Sequence, residues 1–329
     1  MTARKYVLLT GAGFTKNFGA PLATQLWSII LGSPYLAEYP MLRKLLLDDF
    51  DFESVYHRVS SGSFSDDEKT AIHDAVYESY TYIERTIENL LPSGIFPGGI
   101  RKMIRGFAGN VKQPGFVFTL NQDLFLERHY RGIGDRPSLP GISNGQRWFT
   151  DQFNGPVQPG DMAELPESAA PMSQLLDNAG FFYIKLRGSM NWYSSRTGRN
   201  TMVIGQGKAS LIAAEPILAC YQEIFHQVLC SGERKLLSIG YSFGDPHINK
   251  VLLESIKHGL QLFVLSPGSP DVLKTRLKDQ GCAELWSALT EYFPFDLKTL
   301  FPADQSPSPS PQWAHVRRRF FDDEHGLIL

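Results

Sequence analysis

The sequence is poor in cysteine, and the few cysteines it has are far apart. Cys220, Cys230 and Cys282 are the three in the chain, and no two of them have the C-x-x-C spacing of structural zinc sites. Three cysteines are too few for a four-cysteine zinc module, and their wide spacing argues against a disulfide framework. We expect unmodified, buried thiols and no bound metal.

Long apolar runs, internal repeats and an excess of one charge are also missing. The apolar runs have the length of strands rather than the roughly 20 residues of a membrane helix, and the first residues lack the pattern of a signal peptide. The 32 Lys and Arg nearly balance the 34 Asp and Glu, so no broad positive field is available to coat nucleic acid. These absences predict a cytoplasmic protein that binds neither membranes nor nucleic acid directly.

Five short apolar runs, bounded by Gly, Pro or polar residues, are what the sequence does contain. Each run is continuous rather than alternating, which is typical of strands buried on both faces in a parallel sheet covered by helices. The sequence therefore predicts an α/β fold. The predicted strands are residues 6–10, 116–120, 182–186, 235–239 and 262–266.

A long segment with helical periodicity separates the first two predicted strands. Apolar residues recur at three- and four-residue spacing from Ile72 to Leu90, and Ser65 followed by Glu68 has the capping-box pattern of a helix start. Because a simple crossover needs no such length, residues 31–111 are predicted to form an inserted helical subdomain. The sheet domain would then comprise residues 1–30 plus 112–280, followed by a C-terminal extension, 281–329.

Two further segments look irregular. Residues 131–180 are rich in Pro, Gly, Ser, Asn and Gln, which favours a surface loop or a lid rather than regular secondary structure. Such a lid could close over a ligand. The run FPADQSPSPSPQW near the C-terminus predicts an extended, polyproline-like strap. Beyond it, residues 317–324 place arginines, exposed-looking aromatics and acidic residues side by side. This pattern favours a terminal helix whose charges pair with one another, and an interface is the alternative.

The first predicted strand leads directly into Gly11, Ala12, Gly13, Phe14 and Thr15. A turn at the carboxyl end of a parallel strand presents backbone N–H groups at a helix N-terminus, where a phosphate can bind. Gly11 permits the tight turn, Gly13 lets a pyrophosphate approach, and Thr15 can add a hydrogen bond. The third glycine of the dinucleotide fingerprint is absent, so a purely structural glycine turn is the alternative.

Polar residues follow the other predicted strands as well. The carboxyl ends of parallel strands line one crevice, so these groups are expected to converge on a ligand. They are Asn121, Gln122 and Asp123; Arg187, Gly188 and Ser189; the stretch from Gly240 to His247; and Ser266 with Pro267. Taken singly, Asn121 can be a turn residue, and Asp245 can cap a helix that starts at Pro246.

In this order, the motifs GAGFT, TLNQD, KLRGS and GYSFGDPH resemble the sirtuin-like NAD-binding domains. The resemblance is strongest to the bacterial branch that hydrolyses NAD in anti-phage defence, and it extends from about Tyr6 to Pro267. It implies a Rossmann-like parallel sheet of sirtuin type with NAD as substrate. Since the zinc module of protein-deacylating sirtuins is missing, it implies an NAD+ hydrolase (NADase) that releases nicotinamide and ADP-ribose.

The resemblance also implies a role for each matched residue. The turn of Gly11, Ala12, Gly13, Phe14 and Thr15 would hold the pyrophosphate and flank the nicotinamide ribose. Asn121 would orient the reacting ribose or its water, and Asp123 would order the nicotinamide pocket. The adenosine side would be received by Gly240, Tyr241 and Ser242, with Ser266 near the adenine.

The chain departs from the family at Arg187, which stands where the family has a catalytic histidine. Arginine cannot act as a general base at neutral pH. Because nicotinamide leaves as a neutral molecule through an oxocarbenium-like transition state, hydrolysis aided by Asn121 alone is one reading. His129, or His247 from its place on the adenosine side, could replace the base. The alternative is a regulatory subunit that binds NAD or ADP-ribose without cleaving it.

Partners are implied by the resemblance alone. Relatives work as oligomers and are often paired with a hexameric HerA-type ATPase or an Argonaute-like protein. We therefore expect self-association, and an activity restrained until a partner or a phage signal assembles the protein. A sirtuin-like deacylase that has lost its zinc is a further alternative.

Overall fold

The structure is a computed structural model that describes residues 3–130, 136–142, 155–205, 207–304 and 309–321. Its strands, numbered along the chain, are β1 (Tyr6–Thr10), β2 (Gly115–Thr119), β3 (Ala163–Glu164), β4 (Phe181–Lys185), β5 (Gly188–Ser194), β6 (Arg199–Met202), β7 (Lys235–Ile239), β8 (Gln261–Leu265) and β9 (Leu289–Phe293).

The helices cover both the segment between β1 and β2 and the connections between later strands. They are α1 (Ala12–Lys16), α2 (Ala23–Leu31), α3 (Pro40–Asp48), α4 (Phe52–Ser61), α5 (Asp66–Glu88), α6 (Pro97–Arg105), α7 (Phe125–His129), α8 (Met172–Leu175), α9 (Lys208–Ala214), α10 (Pro216–Cys230), α11 (Pro246–Lys257), α12 (Pro270–Asp279), α13 (Glu284–Ser287), α14 (Leu297–Leu300) and α15 (Pro311–Phe321). No helix among the described residues is long and apolar enough to cross a membrane.

A six-stranded sheet with the order β4-β2-β1-β7-β8-β9 forms the centre of the molecule, and all of its pairings are parallel. Counted along the chain, its strands follow the order 3-2-1-4-5-6 of a doubly wound, Rossmann-like sheet. The α/β fold is therefore confirmed. The five predicted strands all occur, within one residue of their expected bounds. Strand β9 was not predicted, because its sequence LTEYF is not a continuous apolar run.

The sheet is buried because its strands are apolar on both faces. Every residue of β1, β2, β4 and β7 is buried, as continuous apolar runs predict for strands between two helical layers. Aromatic rings add directed contacts: Phe116 stacks on Phe182 of the neighbouring strand, with 5.3 Å between ring centroids. The sheet therefore provides a rigid support for the residues at its carboxyl edge.

The long segment between β1 and β2 contains helices and no strand. Its longest helix, α5, begins as the capping box predicts: the Glu68 backbone N–H donates to the Ser65 hydroxyl (3.2 Å), and the Ser65 N–H donates to the Glu68 carboxylate (2.9 Å). The buried residues of α5 recur at helical spacing from Ala71 to Ile87. The helical character is confirmed, and the domain boundaries at 31 and 111 stay a prediction.

The predicted loop or lid over 131–180 is described only in part, because residues 131–135 and 143–154 lie outside the described residues. The described part contains two short regular elements that its composition did not predict, β3 and α8. β3 joins β5 and β6 in a separate three-stranded sheet.

The C-terminal segment differs from the sequence-based expectation. The strap prediction is wrong from Pro311 onward, because this proline occupies the first turn of α15, where its missing N–H is no loss. Phe320 and Phe321 are buried rather than exposed, and both rings contact Tyr6. Helix α15 therefore packs against β1, while residues 322–329 lie outside the described residues.

Candidate functional site

The strand ends at the carboxyl edge of the sheet are aligned. Thr10 of β1 pairs with Thr119 of β2 and with Ile239 of β7, and Thr119 pairs with Lys185 of β4. The residues that follow these strands consequently begin at one level. Successive strands are added on one side of β1 up to β4 and on the other side from β7 onward, and the switch point between β1 and β7 is where doubly wound sheets bind ligands. The candidate site is therefore the set of loops at this edge.

Three glycines let the loops after β1 and β7 touch at the switch point. The Gly11 N–H donates to the Ile239 carbonyl (3.0 Å), and the Gly13 N–H donates to the Gly240 carbonyl (2.9 Å). A Cβ on Gly13 would lie 2.7 Å from Gly240 Cα, and Gly240 has a φ of +69°. The glycines are therefore required for contact between two backbones. Since the Phe14 N–H also donates internally, to the Gly11 carbonyl (2.8 Å), three N–H groups expected at a pyrophosphate are already paired.

Asn121 is fixed against the glycine turn. Its Nδ2 donates to the Gly11 carbonyl (3.1 Å) and to the Thr15 hydroxyl (3.3 Å), and its backbone N–H donates to the Thr119 hydroxyl (3.0 Å). Because a carbonyl oxygen only accepts, the amide nitrogen must face the turn and Oδ1 must face away from it. No hydrogen bond to Oδ1 comes from the described part of the chain. This oxygen is therefore available to a water or a hydroxyl group.

Asp123 lies two residues further on, in a buried cluster of charges. One carboxylate oxygen accepts a hydrogen bond from the Phe125 N–H (3.1 Å) at the start of α7. Lys185 Nζ donates to the Asp123 backbone carbonyl (2.6 Å) and to the Glu127 carboxylate (2.7 Å). Burial raises the pKa of Asp123 to about 6, against the opposing charge of Lys185. Asp123 therefore changes protonation close to neutral pH.

Arg187 and Asp245 form an ion pair that crosses the site. Arg187 follows β4 and Asp245 follows β7, and β2 and β1 lie between those strands. The pair therefore passes over the carboxyl ends of the two central strands. Asp245 also caps α11, as predicted, through its other oxygen and the His247 N–H (3.0 Å). Arg187 Nε is buried and has no hydrogen-bond partner among the described residues.

Residues of the helical segment reach the site, and the sequence reasoning missed them. The Tyr80 hydroxyl donates to Gln122 Oε1, and Gln122 Nε2 donates to the Val203 carbonyl (3.0 Å). Glu84, one turn further along α5, accepts from the Leu124 N–H (2.8 Å) and from Arg128 (2.7 Å). Burial raises the pKa of Glu84 to about 7, with Arg128 opposing the shift. The sequence signal that could have identified Glu84 is an acidic residue on the apolar face of a predicted helix.

The remaining predicted residues lie at the same edge with less direct contacts. Tyr241 adjoins the site, and its hydroxyl donates to Asn249 Oδ1 (2.8 Å). Ser242 and His247 are exposed, and Ser266 is half-buried. Within the described residues, no hydrogen bond joins these three to Asn121. His129 Nε2 bonds the Ile87 carbonyl (2.6 Å), which directs it into α5.

Two of the motif residues have contrasting surroundings in the turn itself. Phe14 is buried and packs edge-on against Phe125, with 5.2 Å between ring centroids, whereas Ala12 is exposed.

A surface pocket of about 650 Å³ lies between α11 and the turn at residues 280–282. Its lining on the helix side runs from Pro246 to His258, and none of the predicted site residues lines it.

Comparison with known proteins gives one family match. A family model described as a SIR2-like domain matches residues 115–285; this range contains the TLNQD, KLRGS and GYSFGDPH motifs, and GAGFT precedes it. No curated protein matches the chain.

Two solved structures are similar at low identity. One is a Sir2 homologue in complex with NAD, at 13% identity and a TM-score of 0.42, covering 96% of this chain and 91% of that one. The other is a mutant Sir2 homologue in complex with ADP-ribose, at 13% identity and a TM-score of 0.36, covering 85% and 94% respectively. The family model spans more than half of the 329 residues, and the chain therefore belongs to the SIR2-like domain family.

Proposed function

We propose that this protein is an NAD+ hydrolase that cleaves NAD to nicotinamide and ADP-ribose. The observation that carries the proposal is the orientation of Asn121 at the switch point of the sheet. Its amide nitrogen is held by Gly11 and Thr15, so its Oδ1 faces away from the turn. This arrangement suits a group that aligns a water or a ribose hydroxyl at a reacting carbon.

Cleavage of NAD needs no strong acid from the protein. The bond between the ribose C1′ and the nicotinamide nitrogen breaks, and its electron pair returns to the positively charged ring, which leaves as a neutral molecule. A water oxygen then bonds to C1′ and releases a proton to solvent. The transition state is oxocarbenium-like, so alignment of water by Asn121 assists the reaction without a strong acid.

Arg187 has a different task in this proposal. Its guanidinium is permanently charged and is held by Asp245, with Nε buried and unpaired within the described chain. Such a group binds an anion and cannot take a proton from water. We assign Arg187 to the pyrophosphate or to closure of the crevice. The reaction then proceeds without the histidine base that the family has at this place.

Release of nicotinamide from NAD tests the proposal. The purified protein is incubated with NAD, and free nicotinamide is followed by chromatography. Turnover is expected for the unchanged chain and a loss of at least 100-fold for Asn121→Ala, because the aligning oxygen is removed. Gln227→Ala, at an exposed position of α10, serves as the control and should keep full activity. Turnover that survives Asn121→Ala would exclude the assigned role.

The second candidate is a subunit that binds NAD or ADP-ribose and leaves it intact, and Arg187 in place of a base favours it. Calorimetry distinguishes the two candidates. Tight NAD binding, with the ligand recovered unchanged after long incubation, would favour the binding subunit. Dependence of nicotinamide release on an acetylated peptide would instead indicate a deacylase.

The cellular role that we propose follows from the motif resemblance. It is anti-phage defence by depletion of NAD in the cytoplasm, by a self-associated protein whose partner is a hexameric HerA-type ATPase or an Argonaute-like protein. Infected cells that express the chain are expected to lose NAD, and cells that express Asn121→Ala are expected to retain it. Equal NAD levels in both would exclude this role.

A further inference from the structure

Helices α10 and α11 bring a histidine, a cysteine and a glutamate together, away from the candidate NAD site. His226 and Cys230 are four residues apart on α10, so they lie on one face, one turn from each other. Glu254 comes from α11, and its Oε1 lies 3.1 Å from His226 Nε2. One potential ligand atom from each residue lies within 4.8 Å of the other two.

These atoms form the donor set of a transition-metal site. Imidazole nitrogen, thiolate sulfur and carboxylate oxygen bind Zn²⁺ at about 2.0–2.3 Å, and tetrahedral angles then put neighbouring ligand atoms about 3.3–3.6 Å apart. The observed separations need only a small inward movement of side chains. Thiolate and imidazole together select zinc-like ions over Mg²⁺ and Ca²⁺, which prefer oxygen ligands.

We infer that His226, Cys230 and Glu254 form a binding site for a zinc-like divalent cation that links α10 to α11. All three residues are half-buried, so the fourth position is open to water. The site differs in ligands and in place from a four-cysteine module, and it departs from our expectation of no metal. That expectation rested on the spacing of the cysteines, and it did not consider one cysteine combined with other residue types, one of them on a second helix.

The present contacts of the three residues do not compete strongly with a metal. The His226–Glu254 pair is 40% and 45% exposed, and exposed ion pairs contribute little to stability. The Cys230 sulfur contacts the Ser255 hydroxyl at 3.3 Å, and this hydroxyl also donates to the Val251 carbonyl (2.7 Å), so it stays paired when the sulfur binds a metal.

Metal binding at this place would act on the candidate site through α11. Asp245, which caps the start of this helix, holds Arg187, and a cation bound between α10 and α11 would tie the helix to its neighbour. A ligand that binds only the folded chain raises its stability by mass action. Zinc is therefore expected to raise the unfolding temperature of the protein.

Titration with Co²⁺, a spectroscopic substitute for Zn²⁺, tests the inference on the full chain. One Co²⁺ per chain is expected, with a near-ultraviolet thiolate-to-cobalt band that Zn²⁺ abolishes by displacement. Cys230→Ser should lose the band, and His226→Ala and Glu254→Gln should each weaken Co²⁺ affinity at least tenfold. Cys220→Ser, at the half-buried thiol earlier on α10, is the matched control and should keep both.

Circular dichroism establishes that each variant is folded before titration. If Cys230→Ser does not fold, the affinities of Glu254→Gln and His226→Ala decide the matter. Absence of a thiolate band in the unchanged protein, a band that persists in Cys230→Ser, or unchanged affinity in Glu254→Gln would each overturn the site.

Discussion

At the residue scale, the site combines the side-chain amide of Asn121 with several buried charges. The Asn121 amide nitrogen is held by the glycine turn, and its Oδ1 accepts no hydrogen bond from the residues that the structure describes. Asp123, Glu127 and Lys185 are almost fully buried, and they hold the start of α7 to β4. Among them, Asp123 has a pKa that burial raises, so its contribution to stability depends on pH.

Asp123 should make the folded state less stable as the pH rises. Its folded pKa, raised to about 6 by burial, exceeds the value of about 3.9 in an unfolded chain. Between these values the folded state holds more protons, so this carboxyl stabilises the fold at low pH, and that contribution is lost as the pH rises through 6. Two pKa units correspond to about 3 kcal/mol.

The variant Asp123→Asn should lack this loss, because its amide stays neutral and can still accept from the Phe125 N–H. Urea unfolding at pH 4 and at pH 7 measures the difference from the unchanged chain. Asp67→Asn, at an exposed position in the first turn of α5, is the control and should follow the unchanged protein. An identical pH dependence for Asp123→Asn would show that folding does not raise the pKa of this carboxyl.

At the scale of elements, the β1–α1 turn is shaped by its contact with the end of β7. Gly13 would normally gain stability from a substitution to alanine, since its φ is not in the left-handed region and alanine reduces the entropy of the unfolded chain. Here a Cβ would lie 2.7 Å from the Cα of Gly240. A backbone atom cannot move aside as a side chain can, so the sign of the effect is reversed.

Gly13→Ala is therefore expected to destabilise the protein by about 1–3 kcal/mol and to reduce nicotinamide release, because the support of Asn121 shifts. Gly160→Ala is the matched control: a Cβ at this position has no neighbour within 4 Å, so its stability should be unchanged or slightly higher. Unfolding free energies from urea titrations compare the two. Equal values would contradict the close contact of the two loops.

At the scale of the whole molecule, the Arg187–Asp245 pair joins the two halves of the sheet. It connects the end of β4 with the start of α11, across the carboxyl ends of β2 and β1. The two side chains are only 12% and 5% exposed. Removing one partner from so buried a pair leaves an uncompensated charge, which costs about 3–5 kcal/mol.

We expect Arg187→Ala to destabilise the fold by about that amount, and the double variant Arg187→Ala/Asp245→Asn to recover part of the loss. Asparagine keeps the helix cap of α11, so the double-mutant cycle isolates the charge pair. Urea unfolding of the four proteins measures the coupling. Additive effects of the two substitutions would mean that the pair does not form in solution.

Much of the fold could be predicted from local patterns. The continuous apolar runs of β1, β2, β4, β7 and β8 identified the parallel sheet, since burial on both faces leaves a signature in each strand by itself. The capping box at Ser65 and the Asp245–Pro246 start of α11 are likewise contained in a few neighbouring residues. The polar residues at the strand ends predicted the edge of the sheet at which Asn121, Asp123 and Arg187 lie.

Tertiary structure alone decided which distant residues meet. No local pattern places Arg187 against Asp245, Tyr80 against Gln122, or His226 and Cys230 beside Glu254, because these contacts depend on strand order and on the path of long connections. Burial of Phe320 and Phe321 was missed for the same reason: their neighbours include Tyr6 of β1, more than 300 residues earlier in the chain. The periodicity of a segment indicates which of its faces is buried, whereas only the complete fold determines which residues pack against that face.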